Sequence, residues 1–361
     1  VGGGITALSL ALTLSKYNKK ILILDTGKNK KKIKRYFSIN LLSKYFFVKN
    51  EIWEQLKQSK INPFKKIFVW DTPSSASLTF ESKTISYDYL GYIIEEENIL
   101  NALNLLISKK NNIIHFKKSI INNISNSNDC CVVTYNDTKK INSEILIAAD
   151  GANSRIAKLL GNVSRYNDYK QDAFVLDIMT EKKNEKIAYQ HFKNDEIQGL
   201  LPIGENRYNL IWSLDKNKGN YYSDQSNRKI LKILNDDLSK NIGKIVSVSS
   251  SIKFPLSNSH ISSYINNRVL FLGDAAHTIH PLAGLGLNMG IQDIFVFDKL
   301  FSEAFKSNLL IPQKTFDDFQ ESCSKNNSKI INTINFLKNF YSTRLIPKFI
   351  KKSMLNTFNK S

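Results

Sequence analysis

Asp274 lies in the run Gly273-Asp274-Ala275-Ala276-His277, and Pro281, Gly284, Gly286, Asn288 and Gly290 follow it at close spacing. Upstream, Val269 to Leu272 has the pattern of a buried strand. Downstream, the chain takes up a helical pattern. An acid therefore falls at a strand end, and a glycine-rich turn opens a helix. Such a turn brings backbone N–H groups close to a bound ligand and aims the positive end of a helix at it. His277 and His280 have a spacing that a metal pair could use. No further Cys, His or acid cluster completes a site, so they read as structural parts of the turn and no metal is expected.

A second group of residues opens the chain. Gly2, Gly4 and Ala7 fit G-x-G-x-x-A, followed by a helical pattern (Ala7, Leu8, Leu10, Ala11, Leu14) and a strand, Ile21 to Leu24, that ends in Asp25. In such a unit the first glycine makes the turn, the second admits a pyrophosphate to the backbone, and the small third residue lets helix and strand pack. Asp25 stands about 20 residues on, where an acid takes the ribose hydroxyls. The pattern marks a dinucleotide without separating NAD from FAD. A third acid, Asp150, is delivered with Gly151 by the apolar strand Ile145 to Ala149, and Ser154, Arg155 and Lys158 begin a helix after it. Alone, an Asp-Gly pair is usually only a turn; its meaning comes from the order of the three stretches.

That order, with GDAAHTIHPLAGLGLNMG last, resembles the class A flavoprotein aromatic hydroxylases with the para-hydroxybenzoate hydroxylase fold. Within them the chain is most similar to the ubiquinone-biosynthesis hydroxylases of the octaprenyl-methoxyphenol type. The run Ala276 to Gly284 carries most of the likeness, with Leu90 to Glu95, Tyr189 to Phe192, Leu200 to Ile203 and Leu210 to Ser213. The resemblance implies FAD as cofactor and NAD(P)H as co-substrate. Gly2, Gly4 and Ala7 would cradle the pyrophosphate, Asp25 would hold the adenosine ribose, and Arg35 would lie near the FAD. Asp150 and Gly151 would sit between FAD and the nicotinamide. Gly273 and Asp274 would meet the ribityl chain. Pro281 to Asn288, with Gly284, Gly286 and Leu287, would pass the isoalloxazine ring, and Pro281, Gly284 and Gly286 would line the active site. No side chain is singled out as an essential acid or base.

The implied reaction is oxygen transfer from a flavin C4a-hydroperoxide to the ring of a polyprenylated phenol, using NAD(P)H and O2. Alternatives on the same motifs are a non-catalytic flavin-binding subunit of a quinone-biosynthesis complex and a related flavin reductase or halogenase. A simple NAD dehydrogenase fits the GDAAH stretch poorly. Three departures from the family stand out: Asp25 is shorter than the usual Glu, Leu285 replaces a frequent Gln, and Glu95-Glu96-Glu97 replaces a segment that often carries an amide or a base near FAD. Three adjacent carboxylates would repel a pyrophosphate unless they point elsewhere, so no FAD contact is expected from them.

These residues need an α/β scaffold to position them: a Rossmann-like FAD-binding domain with an interleaved antiparallel-sheet substrate domain and a C-terminal helical segment. The expected boundaries are 1–60, 86–165 and 256–300 for the first, 61–85 and 166–255 for the second, and 301–361 for the third. Phe174 to Met179, Ile187 to Phe192, Gly199 to Ile203 and Tyr208 to Ser213 read as strands of the inserted sheet, joined by Ile67 to Trp70. The polar piece Asp215 to Asn227 reads as a loop.

Composition narrows the partners. The chain has 361 residues, 51 basic against 32 acidic, for a net charge of +19. Most of the cations are Lys, whereas base and phosphate recognition favours Arg forks, and no nucleic-acid motif is legible. The surplus reads either as a compositional bias toward Lys, Asn, Ile and Phe or as attraction to an anionic membrane surface. Ile331 to Phe358 alternates apolar and basic residues and is broken by Pro347, which gives either a packed terminal helix or a cationic amphipathic face. Three cysteines form no disulfide or metal framework, and no run of apolar residues is long enough to span a bilayer. The expected location is cytoplasmic, peripheral on the inner face of the membrane. The chain begins at Val1 directly on the glycine turn, without the strand that should feed it, and so reads as lacking a few N-terminal residues.

Overall fold

The computed structural model of the chain describes residues 1–27, 34–72, 75–162, 164–281, 284–307 and 310–342. The first part contains α1 (Ile5–Leu14), β1 (Ile21–Leu24), β2 (Tyr36–Asn40), α2 (Leu41–Lys49), α3 (Ile52–Gln55), β3 (Ile61–Phe64), β4 (Lys66–Asp71), β5 (Ala76–Glu81), β6 (Gly91–Glu95) and α4 (Glu96–Ser108). Then follow β7 (Ile113–Phe116), β8 (Ile121–Asn126), β9 (Cys131–Tyr135), β10 (Lys139–Ser143), β11 (Leu146–Ala148), α5 (Arg155–Leu159), β12 (Ser164–Thr180), β13 (Ile187–Lys193), β14 (Glu196–Gly204) and β15 (Arg207–Asp215). The rest is α6 (Lys216–Ser223), α7 (Asn227–Ile242), β16 (Ile245–Val248), β17 (Ile252–Ile261), β18 (Ile265–Asn266), β19 (Val269–Phe271), β20 (His277–Thr278), α8 (Gly286–Ser307) and α9 (Gln313–Ser342).

Two parallel pairs form the nucleotide-binding layer. β1 runs parallel to β7, and β11 parallel to β19. The opening residues join them, because Gly2 N–H donates to Leu24 O (2.9 Å) and Ala149 N–H donates to Val1 O (2.9 Å). The strands are short and mostly apolar: β19 is buried throughout, whereas Ile114 and Phe116 of β7 are exposed. α1, α4 and α8 cover them, and one large core holds Leu8, Ile23, Leu103, Phe271, Ile294 and Phe297.

The second layer is a nine-stranded sheet in the order β20-β17-β12-β15-β14-β13-β4-β5, with β16 on β12. Its outer face packs on α7, where Leu200, Leu210 and Trp212 meet Ile230, Leu234 and Leu238. The inner face turns toward the nucleotide layer and α9. A small sheet, β2-β6-β3, stands between the two layers.

Some expectations shift. The segment after Asp215 is not a loop: Asp215 caps α6 by accepting the Asn217 N–H (2.9 Å), and Tyr222 stacks on Trp212 at 4.7 Å. Tertiary packing overrides the weak helix propensity of that polar stretch. β3 was assigned to the substrate segment, yet it pairs with β6. β17 keeps the large sheet going to Ile261, past the expected return at residue 256. Pro347 and the tail beyond Ser342 lie outside the described residues. Among those described, no helix is long and apolar enough to cross a membrane.

Candidate functional site

The glycines of the chain start are fixed by what they touch. Gly2 has φ +119°, and a Cβ there would fall 2.2 Å from Ala149 O, so the first turn is pressed against the strand that carries Asp150. Gly3, which the fingerprint leaves as any residue, is equally constrained: a Cβ would lie 2.2 Å from Asp25 Oδ2. The triple glycine was the only sequence signal for it. Gly4 caps α1 without a side-chain hydrogen bond, and a Cβ there would meet nothing within 4 Å. The first turn of α1 thus presents uncapped N–H groups beside an open surface, which is what an anionic pyrophosphate needs.

Asp25 ends β1 with its carboxylate beside this turn. His115, whose Nε2 stands 3.7 Å from Oδ2, and the Gly27 N–H (3.1 Å) hold it below the ordinary carboxylate range against the opposing effect of partial burial. It is ionised and aimed by neighbours, as a ribose acceptor must be. Asp150 uses one oxygen to accept the N–H groups of Arg155 (2.7 Å) and Ile156 (3.2 Å) at the start of α5. Its other oxygen, Oδ1, is buried with no partner among the described residues. Gly151 follows at φ +88° with open space around it. An orphaned acceptor next to an open glycine turn fits a ligand donor.

The third stretch closes the site. Gly273 turns at φ +59°, and Asp274 follows it with an exposed side chain. The Asp274 Oδ1 lies 3.9 Å from where a Cβ of Gly286 would be, so the acid and the N-terminus of α8 are neighbours. Thr6 of α1 sits between Gly273 and Gly290, whose Cβ would come within 2.8 Å of the Thr6 hydroxyl. The first and last motifs are thereby packed into one body. Pro281 and Gly284 flank residues 282 and 283, which are outside the described residues. Gly284 is at φ +60°, and a Cβ would fall 2.9 Å from that of Ser38 in β2.

The motif places Asn288 among the residues expected at the ring. Its side chain is engaged by the protein: Oδ1 accepts from Asn40 N–H (3.0 Å) and Ser43 Oγ (2.8 Å), and Nδ2 donates to Ser38 O (2.8 Å) and Gly284 O (3.0 Å). All four of its hydrogen-bonding positions tie α8 and the turn to β2 and α2. Any ligand contact from Asn288 or Leu287 must come from the backbone at the helix end. Arg35 pairs with Glu96 at 3.3 Å and lies over Phe37. Glu95 pairs with Lys60 at 3.3 Å. The acidic departure is thereby accounted for: two of the three carboxylates are engaged, and Glu96 and Glu97 complement the positive end of α4.

Beneath the turn lies a buried polar network that sequence reading missed. Asp293 accepts the Gly273 N–H (3.0 Å), the His277 Nε2–H (2.7 Å) and the Asn327 amide (2.9 Å). Asn327 also donates to the Tyr264 hydroxyl (2.9 Å). Burial disfavours the His277 imidazolium, but the Asp293 carboxylate overrides it and raises the imidazole above its ordinary value. An acid on the apolar face of Ile291, Ile294 and Phe297 was the available signal. His280 behaves oppositely. Burial, with Lys338 nearby, drives it down to about 3, so the ring is neutral, and neither nitrogen has a hydrogen-bond partner among the described residues. It packs edge-on to Tyr169 at 5.1 Å.

A family model described as an FAD binding domain matches residues 1–308. The chain belongs to this FAD-binding family. The mitochondrial ubiquinone biosynthesis monooxygenase of Danio rerio is 25% identical over 407 residues, covering 98% of this chain and 84% of the relative. The human protein of that name is 26% identical over 402 residues, covering 96% and 85%. Among solved structures, PqsL of Pseudomonas aeruginosa in complex with 2-aminobenzoylacetate superposes with a TM-score of 0.84 at 16% identity, covering 99% of this chain and 98% of that one. The p-nitrophenol 4-monooxygenase PnpA of Pseudomonas putida does so at 0.79 with 14% identity, covering 100% and 93%. These two carry the fold alone. For this FAD-binding chain, the open Gly4 end of α1, the orphaned Asp150 Oδ1 and the exposed Asp274 beside α8 all suit FAD. Among the described residues, no cluster suits a metal.

Proposed function

We propose that this protein is an FAD-dependent monooxygenase that hydroxylates the aromatic ring of a polyprenylated phenol in ubiquinone biosynthesis, using NAD(P)H and O2. The observation that carries the reading is the meeting of the Gly2, Asp150 and Gly273 turns in one body whose ring-side turn, flanked by Ile279 and Leu285, packs on the inner face of the large sheet. FAD bound there would supply hydride acceptance from NAD(P)H and activation of O2, with one oxygen entering the ring and the other leaving as water. The chain's own part is to bind, orient and exclude water. α1 and Asp25 hold the nucleotide end. The N-terminus of α8, which begins at Gly286, would offer backbone N–H groups to negative charge on the bound flavin. α9 lays Ile330, Ile334 and Phe340 over the sheet beside the turn and keeps that side dry. The relatives named above are monooxygenases of ubiquinone biosynthesis, which supports the substrate class.

Deleting the gene is expected to accumulate a prenylated precursor lighter than its product by one oxygen atom, and purified protein with FAD should oxidise NAD(P)H only when that precursor is added. Flavin reduction with no substrate dependence and no hydroxylated product would sink the reading. Association with a quinone-biosynthesis complex and a peripheral place on the inner membrane face belong to the same proposal. The net charge of +19 and the exposed Phe336 and Leu337 of α9 support the latter. Co-sedimentation with phosphatidylserine vesicles should weaken when residues after Phe340 are removed; equal binding would dismiss the tail as an anchor.

A further inference from the structure

β5 is the terminal strand of the large sheet, and among the described residues it pairs only with β4. The chain leaves it through a short turn, Ser82–Ile85, and runs on to Asp88. Four hydrogen bonds fix this turn. Ser82 N–H donates to Lys65 O (2.9 Å), Tyr87 N–H to Ser82 O (3.1 Å), Ser86 N–H to Lys83 O (3.1 Å), and Ser82 Oγ to Asp88 O (3.1 Å). Ser82 is buried, and Ser86 is held at φ +57°, in the left-handed region that a serine seldom adopts. The outward side chains are therefore displayed by a fixed backbone. Phe80 is 48% exposed, Ile85 48% and Tyr87 58%. Single apolar residues on a surface need no cause, but three large ones at one strand end and its turn do.

The same end of the sheet is basic. Lys66 pairs with Glu81 at 2.8 Å, and Lys66 first, with Lys83 and Lys65 beyond it, holds the Glu81 carboxyl below the ordinary range. One acid is thus shared by three lysines. Lys65 N–H donates to Lys186 O (2.8 Å), and Lys186 lies over the Tyr89 ring at 5.2 Å. Three apolar side chains are few for a stable protein interface, which takes about 20–30 residues a side. They suit a lipid surface, where apolar side chains enter the acyl boundary, a tyrosine rests among the headgroups and lysines attract anionic lipid. The exposed face of α2 (Leu42, Tyr45, Val48) offers less. Tyr45 stacks on Phe295 at 6.2 Å, and Lys44 donates to the Tyr92 hydroxyl at 2.8 Å.

We propose that the end of β5 and its turn are the surface on which this protein rests on an anionic phospholipid bilayer, with Phe80, Ile85 and Tyr87 inserted and Lys65, Lys66 and Lys83 among the headgroups. This deepens the peripheral placement above and rests on that reading. Phe80 pairs with Ile67, which packs with Leu90 and Leu201 on Phe64 and Ile93. Docking here therefore sets the apolar seam between the small sheet and the large one against the bilayer, where a polyprenyl chain resides.

The test sediments the full FAD-loaded chain with vesicles of phosphatidylcholine, alone or mixed with phosphatidylserine. Wild-type protein should bind the mixed vesicles more tightly. Ile85→Glu should bind them about tenfold more weakly or worse, because it removes an inserted side chain and adds an anion. Ile114→Glu, the same change at an exposed position on β7, should bind as wild type does. Lys83→Ala should weaken binding to the mixed vesicles about fivefold, the effect of one cation near the surface. The fluorescence of Tyr87→Trp should move to shorter wavelength when mixed vesicles are added. Binding unchanged in Ile85→Glu or Lys83→Ala, an equal loss in Ile114→Glu, or no shift in Tyr87→Trp overturns the assignment of this surface and leaves the peripheral placement standing. Wild-type protein that binds neither kind of vesicle overturns both. A dimer in the absence of lipid that Ile85→Glu dissolves, seen by sedimentation velocity, gives the turn to a second copy of the chain and also overturns the proposal.

Discussion

Gly2→Ala is expected to yield a protein that is strongly destabilised and purifies without flavin. Two penalties coincide at this position. Its φ of +119° is a conformation that L side chains rarely adopt, and the new Cβ would lie 2.2 Å from Ala149 O and 2.7 Å from Ala149 C. Those atoms are backbone at the end of β11 and cannot swing aside. Strain of this kind costs about 1–3 kcal/mol and overpacking a similar amount, so a loss of roughly 3–5 kcal/mol follows. The same displacement pushes Ala149 and Asp150 away from the first turn, so two of the three stretches proposed to contact the flavin are misplaced together. Gly4→Ala is the control. Nothing lies within 4 Å of its Cβ, so the fold should survive with its melting temperature little changed, while the added methyl would stand where a pyrophosphate is proposed to approach α1. Thermal denaturation and FAD titration separate the two effects. A Gly2→Ala protein as stable and as yellow as wild type would mean that the turn and β11 are not in contact.

How far the sequence reached depends on which physical signal each residue leaves. The strands of the large sheet were legible because a short apolar run fits a strand packed on both faces: the run Tyr208 to Ser213 lies inside the observed Arg207–Asp215. Ends were less legible, since Asp215 and Lys193 continue the backbone ladder after the apolar pattern stops. α6 was invisible because its polar residues lack a helical stripe, and it forms because Asp215 caps it and Trp212 offers a ring to Tyr222. Motifs marked the candidate site but not the direction of its side chains. The run around Asn288 marks a turn expected beside the ring, and the amide is held by β2 and α2, a fact that depends on residues some 250 positions away. Gly3 and Gly290 had the same limitation: the need for glycine comes from Asp25 and Thr6, which only the folded chain brings near. Long-range contact, rather than local pattern, decided these cases.

The Asp293 carboxylate is the extreme example, and Asp293→Ala should be the most damaging change in the C-terminal half. The substitution leaves the Gly273 N–H without its acceptor, takes an acceptor from the Asn327 amide, and strands the His277 imidazolium in a fully buried place. Removing one partner of a buried ion pair costs about 3–5 kcal/mol, because the survivor is a charge with neither water nor counter-ion. Asp293→Asn keeps the shape and removes the charge, and its deficit should depend on pH in a defined direction. The folded protein holds the His277 proton more tightly than the unfolded chain, since Asp293 raises its pKa. The stabilisation from the ion pair is therefore fully present below the ordinary histidine value of about 6.5 and is lost as pH rises through the higher folded value. Urea denaturation of wild type and Asp293→Asn from about pH 6 to about pH 10 should show the gap between them narrowing toward alkaline pH. A gap that widens instead would mean that His277 is neutral in the folded state. Because Asp293 carries the Gly273 turn, FAD affinity should fall in the same order as stability, wild type above Asn above Ala. His277→Gln removes the cation and keeps a donor to the acid, so it should bind FAD more tightly than Asp293→Ala. If it binds no better, the network's contribution lies in its charge rather than in the position it gives Gly273.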